Sequence, residues 1–201
     1  MIRRYFEKTS PVKKIRTFTS VKSKEVFFCE SALELHACLV MEFNDSVVYY
    51  KAQPDSFKYR KGYPYTPDLL VVMENGDSFF VEVKPYNVTI EAHFIAKLQL
   101  LTDYFSITEK RLVVLTDRDL YVDGVKENCT HLYRYRTEPI DPNYLATFQA
   151  IGKGRATWKA FRERLKALGL PGYFAHQLLA YKLVSFDFKA PINDATQVVW
   201  S

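Results

Sequence analysis

Cysteine is scarce in this chain: Cys29, Cys38 and Cys129 are the three among 201 residues. Their number is odd and no pair has metal-type spacing. A disulfide framework and a zinc site are therefore not expected, and the thiols read as reduced cysteines of a cytosolic protein. Long apolar runs are missing too; the longest cover only a few residues, which excludes an integral membrane protein. The opening residues, MIRRYFEKTSPVKK, are basic but lack the apolar centre of a signal peptide, so secretion is not expected. In that setting the glycosylation-type triplets at Asn87 and Asn128 are chance matches. No repeat or low-complexity tract interrupts the chain. Gly152-Lys153-Gly154-Arg155 is too poor in glycine for a phosphate loop and lacks the Lys-Ser/Thr ending, so no nucleotide site follows. What is present suffices for a core: 48% of residues are hydrophobic and 25% charged, as for one domain, or one plus a small appendage.

The net charge of +5 is unevenly spread. Residues 1–24 carry eight Lys/Arg and one acid, residues 25–149 carry 12 and 19, and residues 150–201 carry eight and three. An acidic centre between basic ends suits a metal-dependent enzyme acting on a polyanion, with acids holding cations and arms holding phosphates. A solvated basic tail accounts equally well for residues 1–24.

Periodicity orders the elements. Residues 1–24 lack it, contain Pro11, and read as an arm or loosely ordered lead-in. Ser31 to Phe43 reads as a helix capped by Ser31, with Glu34 three residues later as in a capping box. VVYYKAQP (47–54) and DSFKYR (55–60) read as strands, and Lys61-Gly62 as a turn. DLLVVM (68–73) and SFFVEVK (78–84) flank Glu74-Asn75-Gly76-Asp77, a hairpin signal, because Asn-Gly accepts the positive φ of a tight turn. Residues 88–105 have helical spacing, RLVVLT (111–116) reads as a buried strand, and Leu132–Tyr135 as one more strand. The fold class is thus α/β with a mixed sheet. After Glu138–Pro142 come helices at 144–151, 156–168 and 173–183, then strands at 184–189 and 197–200. Three short helices followed by a hairpin is the order of a winged-helix module. The predicted division is a basic arm (1–24), an α/β domain (25–140) and a C-terminal helical, winged-helix-like domain (141–201).

The chemistry concentrates in Pro67-Asp68 and, after thirteen intervening residues, Glu82-Val83-Lys84. The Asn75-Gly76 turn brings the start of one strand beside the end of the other. Glu82 and Lys84, two apart, share a face. Two carboxylates and an ammonium therefore converge at one end of a sheet, where such charges are costly unless exposed at a rim or bound to a cation. Two carboxylates with water suit a hard divalent cation such as Mg²⁺, with Mn²⁺ substituting, and the Val83 carbonyl is a further ligand candidate. The metal would acidify a bound water and offset charge on a phosphorane. Lys84 would orient or polarise that water, or offset phosphate charge. The competing explanation is an ordinary cross-strand salt bridge.

Pro67-Asp68 with Glu82-Val83-Lys84 resembles the PD-(D/E)xK restriction-endonuclease-like superfamily. The helix with Ser31-x-x-Glu34, Gln53-Pro54, Tyr65-Thr66-Pro67-Asp68 and Glu82-Val83-Lys84-Pro85 together resemble TnsA, the endonuclease subunit of heteromeric transposases, over roughly residues 28–116. The resemblance implies a restriction-endonuclease-like sheet flanked by helices and a nuclease site of Glu34, Asp68, Glu82 and Lys84, with Glu34, Asp68, Glu82 and Val83 around the metal. It implies cleavage of the 5′ ends of a transposon in the bacterial cytosol, on double-stranded DNA, beside a TnsB-like transposase and a TnsC-like ATPase regulator.

Other residues have weaker claims. Glu34 has a local reason to be acidic, its capping box, and Glu30 is the alternative. Arg3, Arg4, Lys13, Lys14, Gln53, Lys159 and Arg162 are candidate DNA contacts, Gln53 equally a structural one. The 173–183 helix holds too few Arg, Asn and Gln to read bases, so backbone contact or protein docking fits the C-terminal part better. Lys97 and Gln99 lie on the helix after the motif, where the nucleases that the chain resembles often place auxiliary groups, but read better as exposed helix residues; Asp117 reads as a turn cap, and the four histidines as core or surface residues. A stand-alone restriction or repair nuclease and a non-catalytic scaffold of the same fold are the rival readings.

Overall fold

The computed structural model describes residues 15–59, 62–107 and 110–201. Its centre is a mixed four-stranded sheet in the order β3-β6-β7-β8, built from Val47–Ala52 (β3), Leu69–Met73 (β6), Ser78–Val83 (β7) and Leu112–Leu115 (β8). The first three strands are antiparallel and β7–β8 is parallel. Gly76, at φ +88°, makes the β6–β7 turn, closed by Met73 N–H to the Asp77 carbonyl at 2.8 Å and by the Asn75 side chain on the Asp77 N–H at 3.0 Å. Leu69 pairs with Val81 and Val72 with Ser78, so the start of β6 lies beside the end of β7.

Alternation along β7 separates the two faces of the sheet. Val81 and Val83 enter the main core with Leu69 and Val71 of β6 and helix α1 (Ala32–Phe43). Phe80 points the other way, into a smaller aromatic cluster with Tyr65, Leu101 and Phe105. That face is covered by helix α3 (Ala92–Ile107) and a hairpin of β4 (Phe57–Tyr59) and β5 (Tyr63–Tyr65). Glu82 shares the Phe80 side, which places it under α3 and away from α1.

Several expectations are corrected. Arg16–Ser20 is a strand, β1, paired antiparallel with β2 (Glu25–Cys29), and Phe18 is buried in the main core. The lead-in is therefore ordered from that point, while residues 1–14 lie outside the described residues. The 88–105 helix is divided into α2 (Tyr86–Thr89) and α3. The break falls after the β-branched run Val88-Thr89-Ile90, which is stiff in a helix, and the Thr89 hydroxyl bonds the Tyr86 carbonyl at 2.7 Å. Leu132–Tyr135 is not a strand but part of helix α5 (Val125–Arg136), whose Asn128, Cys129 and Leu132 are buried at helical spacing. The strand expected at 55–60 is the shorter β4; Arg60 and the Lys61 of the expected turn lie outside the described residues.

After α4 (Asp117–Leu120) and α5, the chain forms α6 (Pro142–Gln149), β9 (Gly154–Thr157), α7 (Trp158–Ala167), α8 (Gly172–Ala180), β10 (Val184–Phe186) and β11 (Gln197–Trp200). β9 replaces the expected start of a helix; it pairs with β11 in the antiparallel order β10-β11-β9. Thr157 then caps α7 by accepting the Ala160 N–H. Gly154 faces Trp200, and a Cβ there would lie 2.3 Å from the indole. Buried side chains from Phe18 to Trp200 form one continuous core across residues 138–142. The result is a mixed α/β fold with helices on both faces of its mixed sheet. Among the described residues no helix is long and apolar enough to cross a membrane.

Candidate active site

The hairpin register decides how the charged residues meet. The Asp68 N–H bonds the Val81 carbonyl at 2.9 Å, which extends the β6–β7 ladder by one residue. The Asp68 carboxylate then turns across the end of β7 and accepts the Val83 N–H at 2.7 Å. Lys84 folds back over the same end. Its Nζ lies 3.1 Å from Asp68 Oδ2, 3.1 Å from Glu82 Oε1 and 3.0 Å from the Val83 carbonyl. Three hard oxygen donors, two of them carboxylate, thus converge on one cationic nitrogen.

Glu82 is nearly enclosed, at 3% exposed. Its other oxygen accepts the Tyr65 hydroxyl at 2.6 Å, and Lys97 on α3 approaches Oε1 at 3.3 Å while lying over the Tyr65 ring at 5.0 Å. Burial pushes the Glu82 carboxyl up, but Lys84, Tyr65 and Lys97 outweigh it and the net displacement is downward. Burial would lower Lys84, yet the Asp68 and Glu82 charges prevail and raise it. Asp68 goes the other way. Burial is the largest cause and lifts it to about 6; Glu82 and Glu34 add to the rise, while Lys84 and the Val83 N–H oppose it. Two neighbouring carboxylates with values driven apart are characteristic of reactive sites.

Of the four residues expected in the site, Asp68, Glu82 and Lys84 touch one another, and Glu34 acts on Asp68 through its charge. Ser31 caps α1 by accepting the Glu34 N–H, while Glu34 Oε1 accepts the Ser31 hydroxyl at 2.9 Å and Oε2 the Glu30 N–H at 2.8 Å. Helix α1 packs on the sheet face that carries Val81 and Val83, and the charge of its Glu34 raises Asp68. Among the described residues no three Asp, Glu, His or Cys side chains come close enough together to hold a metal ion. The oxygen set that fits a cation is therefore Asp68, Glu82 and the Val83 carbonyl, with the Lys84 ammonium now standing where a cation's charge would be.

No protein-family model and no curated protein matches the chain. The site thus rests on its own geometry.

The remaining candidates fall as follows. Gln53 sits at φ +45°, donates its N–H to the Asp68 carbonyl at 2.9 Å and turns its side chain to Glu30 at 3.4 Å, so it props the first strand of the motif. Asp117 is not the cap of its own turn, which Thr116 provides with Asp119; it opens α4 and accepts the Tyr86 N–H at the start of α2 at 2.6 Å. Gln99 pairs with Asp103 on the surface of α3. Lys159 is exposed, whereas Arg162 is paired with Asp194 and lies 5.6 Å over the Trp158 ring. Arg3, Arg4, Lys13 and Lys14 lie outside the described residues. Most of α8 is interior, with Phe174, Ala175, Gln177, Leu178, Leu179 and Ala180 buried. His36 is a core histidine bonded to the Leu120 carbonyl at 3.0 Å. The three cysteines are free and buried, Cys29 and Cys38 with their sulfurs 3.9 Å apart.

Two further residues join this charged cluster. Lys97, read as exposed, lies on the inward stripe Phe94-Lys97-Leu101 of α3, and a lysine on a buried stripe was the available signal. Tyr65 offered none, because its contact with Glu82 depends on where the β4–β5 hairpin docks.

Proposed function

We propose that this chain is the metal-dependent DNA endonuclease subunit of a cut-and-paste transposase of the TnsA type, hydrolysing one phosphodiester at the 5′ end of each transposon terminus. In this reading the central sheet is restriction-endonuclease-like, and β9–β11 with α7 and α8 form a winged-helix-like part that docks protein or DNA backbone. The observation that carries it is the convergence of the Asp68 and Glu82 carboxylates and the Val83 carbonyl on one cationic position at the end of a hairpin. Hard oxygen donors in that arrangement suit Mg²⁺ or Mn²⁺.

Asp68, Glu82 and the Val83 carbonyl would hold the ion. A bound divalent ion supplies an acidified water and offsets charge on the phosphorane. In the metal-free protein both carboxylates raise Lys84, so it rests there as an ammonium. Beside a bound ion it would orient or polarise the attacking water, or offset phosphate charge. Tyr65 fixes one oxygen of Glu82 and leaves Oε1 for the cation. Glu34 acts at a distance, through its charge on Asp68. A TnsB-like transposase, a TnsC-like regulator and transposon-end DNA are the partners in this reading.

The test is calorimetric titration of the full chain with Mn²⁺ and Mg²⁺, wild type against Asp68→Ala. Binding lost in the variant supports the site and justifies reconstitution with a transposase and end DNA. Folded wild type that binds neither ion, even with duplex DNA present, sinks the catalytic reading in favour of a scaffold. Cleavage of plain duplex by the isolated chain would favour a stand-alone nuclease.

A further inference from the structure

Arg118 is exposed, and its guanidinium lies over the Tyr86 ring, 3.3 Å from the ring centre. Among the described residues it makes no hydrogen bond or ion pair, although Asp117 and Asp119 flank it in sequence. Both carboxylates are engaged elsewhere. Asp117 accepts the Tyr86 N–H at 2.6 Å, and Asp119 accepts the Thr116 N–H at 2.8 Å and its hydroxyl at 2.7 Å. The Thr89 hydroxyl holds the Tyr86 carbonyl at 2.7 Å. Ring and guanidinium are thus fixed to each other from both sides, while the guanidinium donors have no acceptor among the described residues.

The pair stands at the reacting end of the sheet. The Lys84 N–H bonds the Leu115 carbonyl at 3.0 Å, so the end of β8 lies beside the end of β7. In their parallel register Val114 is level with Glu82, and strand neighbours at one level point to the same face. Val114 lines a groove of about 290 Å³ together with Tyr86, Thr89, Phe94, Leu98 and Arg118. That groove is therefore one strand over from Glu82, on the same face. Arg118 is its one cation, and its one acid, Asp119, is the carboxylate already held by Thr116. A planar guanidinium held in advance, with its donors open, matches the oxygens of a phosphate. An apolar floor beside it suits the sugar attached to that phosphate.

We infer that Arg118 seats a DNA phosphate next to the scissile one, with the attached sugar on Phe94, Leu98 and Val114, and that Tyr86 is the positioning residue that holds the guanidinium for it. This rests on the nuclease reading above. The seat reads no sequence, because a phosphate carries none.

The experiment is fluorescence anisotropy of the full chain with two short labelled duplexes of unrelated sequence, over a range of salt, in EDTA and again with Mn²⁺. The proteins are wild type, Arg118→Met, Arg118→Lys, Tyr86→Phe and Tyr86→Leu. Methionine keeps an unbranched stem and a favourable contact with the ring, so Arg118→Met should melt as wild type does. It should bind both duplexes about tenfold more weakly, and its plot of log Kd against log salt should be shallower by about one. Arg118→Lys keeps the slope and recovers part of the affinity. Tyr86→Phe binds as wild type, whereas Tyr86→Leu is about threefold weaker with the slope unchanged. An Arg118→Met variant with wild-type affinity and slope, a loss confined to one of the two sequences, or a Tyr86→Leu variant that binds as wild type overturns the inference while leaving the nuclease reading standing. Wild type that binds neither duplex, in EDTA or with Mn²⁺, defeats the nuclease reading and this inference with it.

Discussion

Replacing Asp68 with asparagine should make the metal-free protein more stable at neutral pH. The Asp68 carboxyl is raised from 3.8 to about 6, chiefly by burial. An acid whose folded value lies above its unfolded one stabilises the fold fully below the unfolded value, and that contribution is lost as pH rises through the folded value. For Asp68 the window therefore runs from about pH 4 to about pH 6, and at ~1.4 kcal/mol per pH unit the loss across it is about 3 kcal/mol. Asparagine never ionises and keeps an oxygen for the Val83 N–H. Its amide faces the Lys84 ammonium less favourably, and allowing about 1 kcal/mol for that leaves a gain of about 2 kcal/mol. In a chain of this size that is an increase of about 4–8 °C in Tm. The assay is urea unfolding of both proteins with EDTA present, at about pH 4 and about pH 7.5, either side of the window. The reasoning fails if the asparagine variant is the less stable at neutral pH, or if the gap between the two proteins does not widen with pH.

Tyr65→Phe keeps the ring in its aromatic cluster but removes the hydroxyl that orients Glu82; Mn²⁺ affinity should fall about tenfold, read by calorimetry, with little change in Tm. Glu42 is fully buried and accepts bonds from Ser20, the Lys22 N–H, Tyr50 and Arg136. Glu42→Ala leaves those donors and a guanidinium without their acceptor, so urea unfolding should register a loss of about 4 kcal/mol. Gly154→Ala drives a methyl to within 2.3 Å of the Trp200 ring; a drop in Tm with a changed tryptophan emission is expected, and an unchanged spectrum would refute the tight β9–β11 packing.

The motif hairpin was legible because everything that makes it is local. Asn75-Gly76 sets the turn, alternation sets the faces, and the turn fixes which residue of β6 meets which of β7. Helix α1 and its Ser31 cap were legible for the same reason. Longer-range features were not. The Leu132–Tyr135 run is rich in strand formers, yet packing against neighbouring helices makes it helical, as tertiary context commonly overrides propensity. β9 could not be read because its partner, β11, lies some forty residues further along. The spacing of Glu34 fits a helix cap and a ligand equally; the structure gives it bonds to Ser31 and Glu30 at the start of α1 and a charge that acts on Asp68. Glu42 carried no signal at all; a glutamate near a helix end reads as solvated, and here four partners from distant segments enclose it.

The two faces of the sheet have unequal backing. The aromatic cluster beneath α3 and the β4–β5 hairpin is small and separate from the main core, so this layer can detach in a sub-global opening while the rest stays folded. Amide hydrogens of α3 and β5 would then exchange ahead of those of β6 and α1. Such an opening strips Tyr65 and Lys97 from Glu82 and leaves it on β7 with Lys84 and Asp68 beside it. Both carboxylates thus stay with the durable hairpin, but only Glu82 draws partners from the labile layer. Anything that clamps the thin layer would hold Tyr65 and Lys97 on Glu82 without touching either carboxylate.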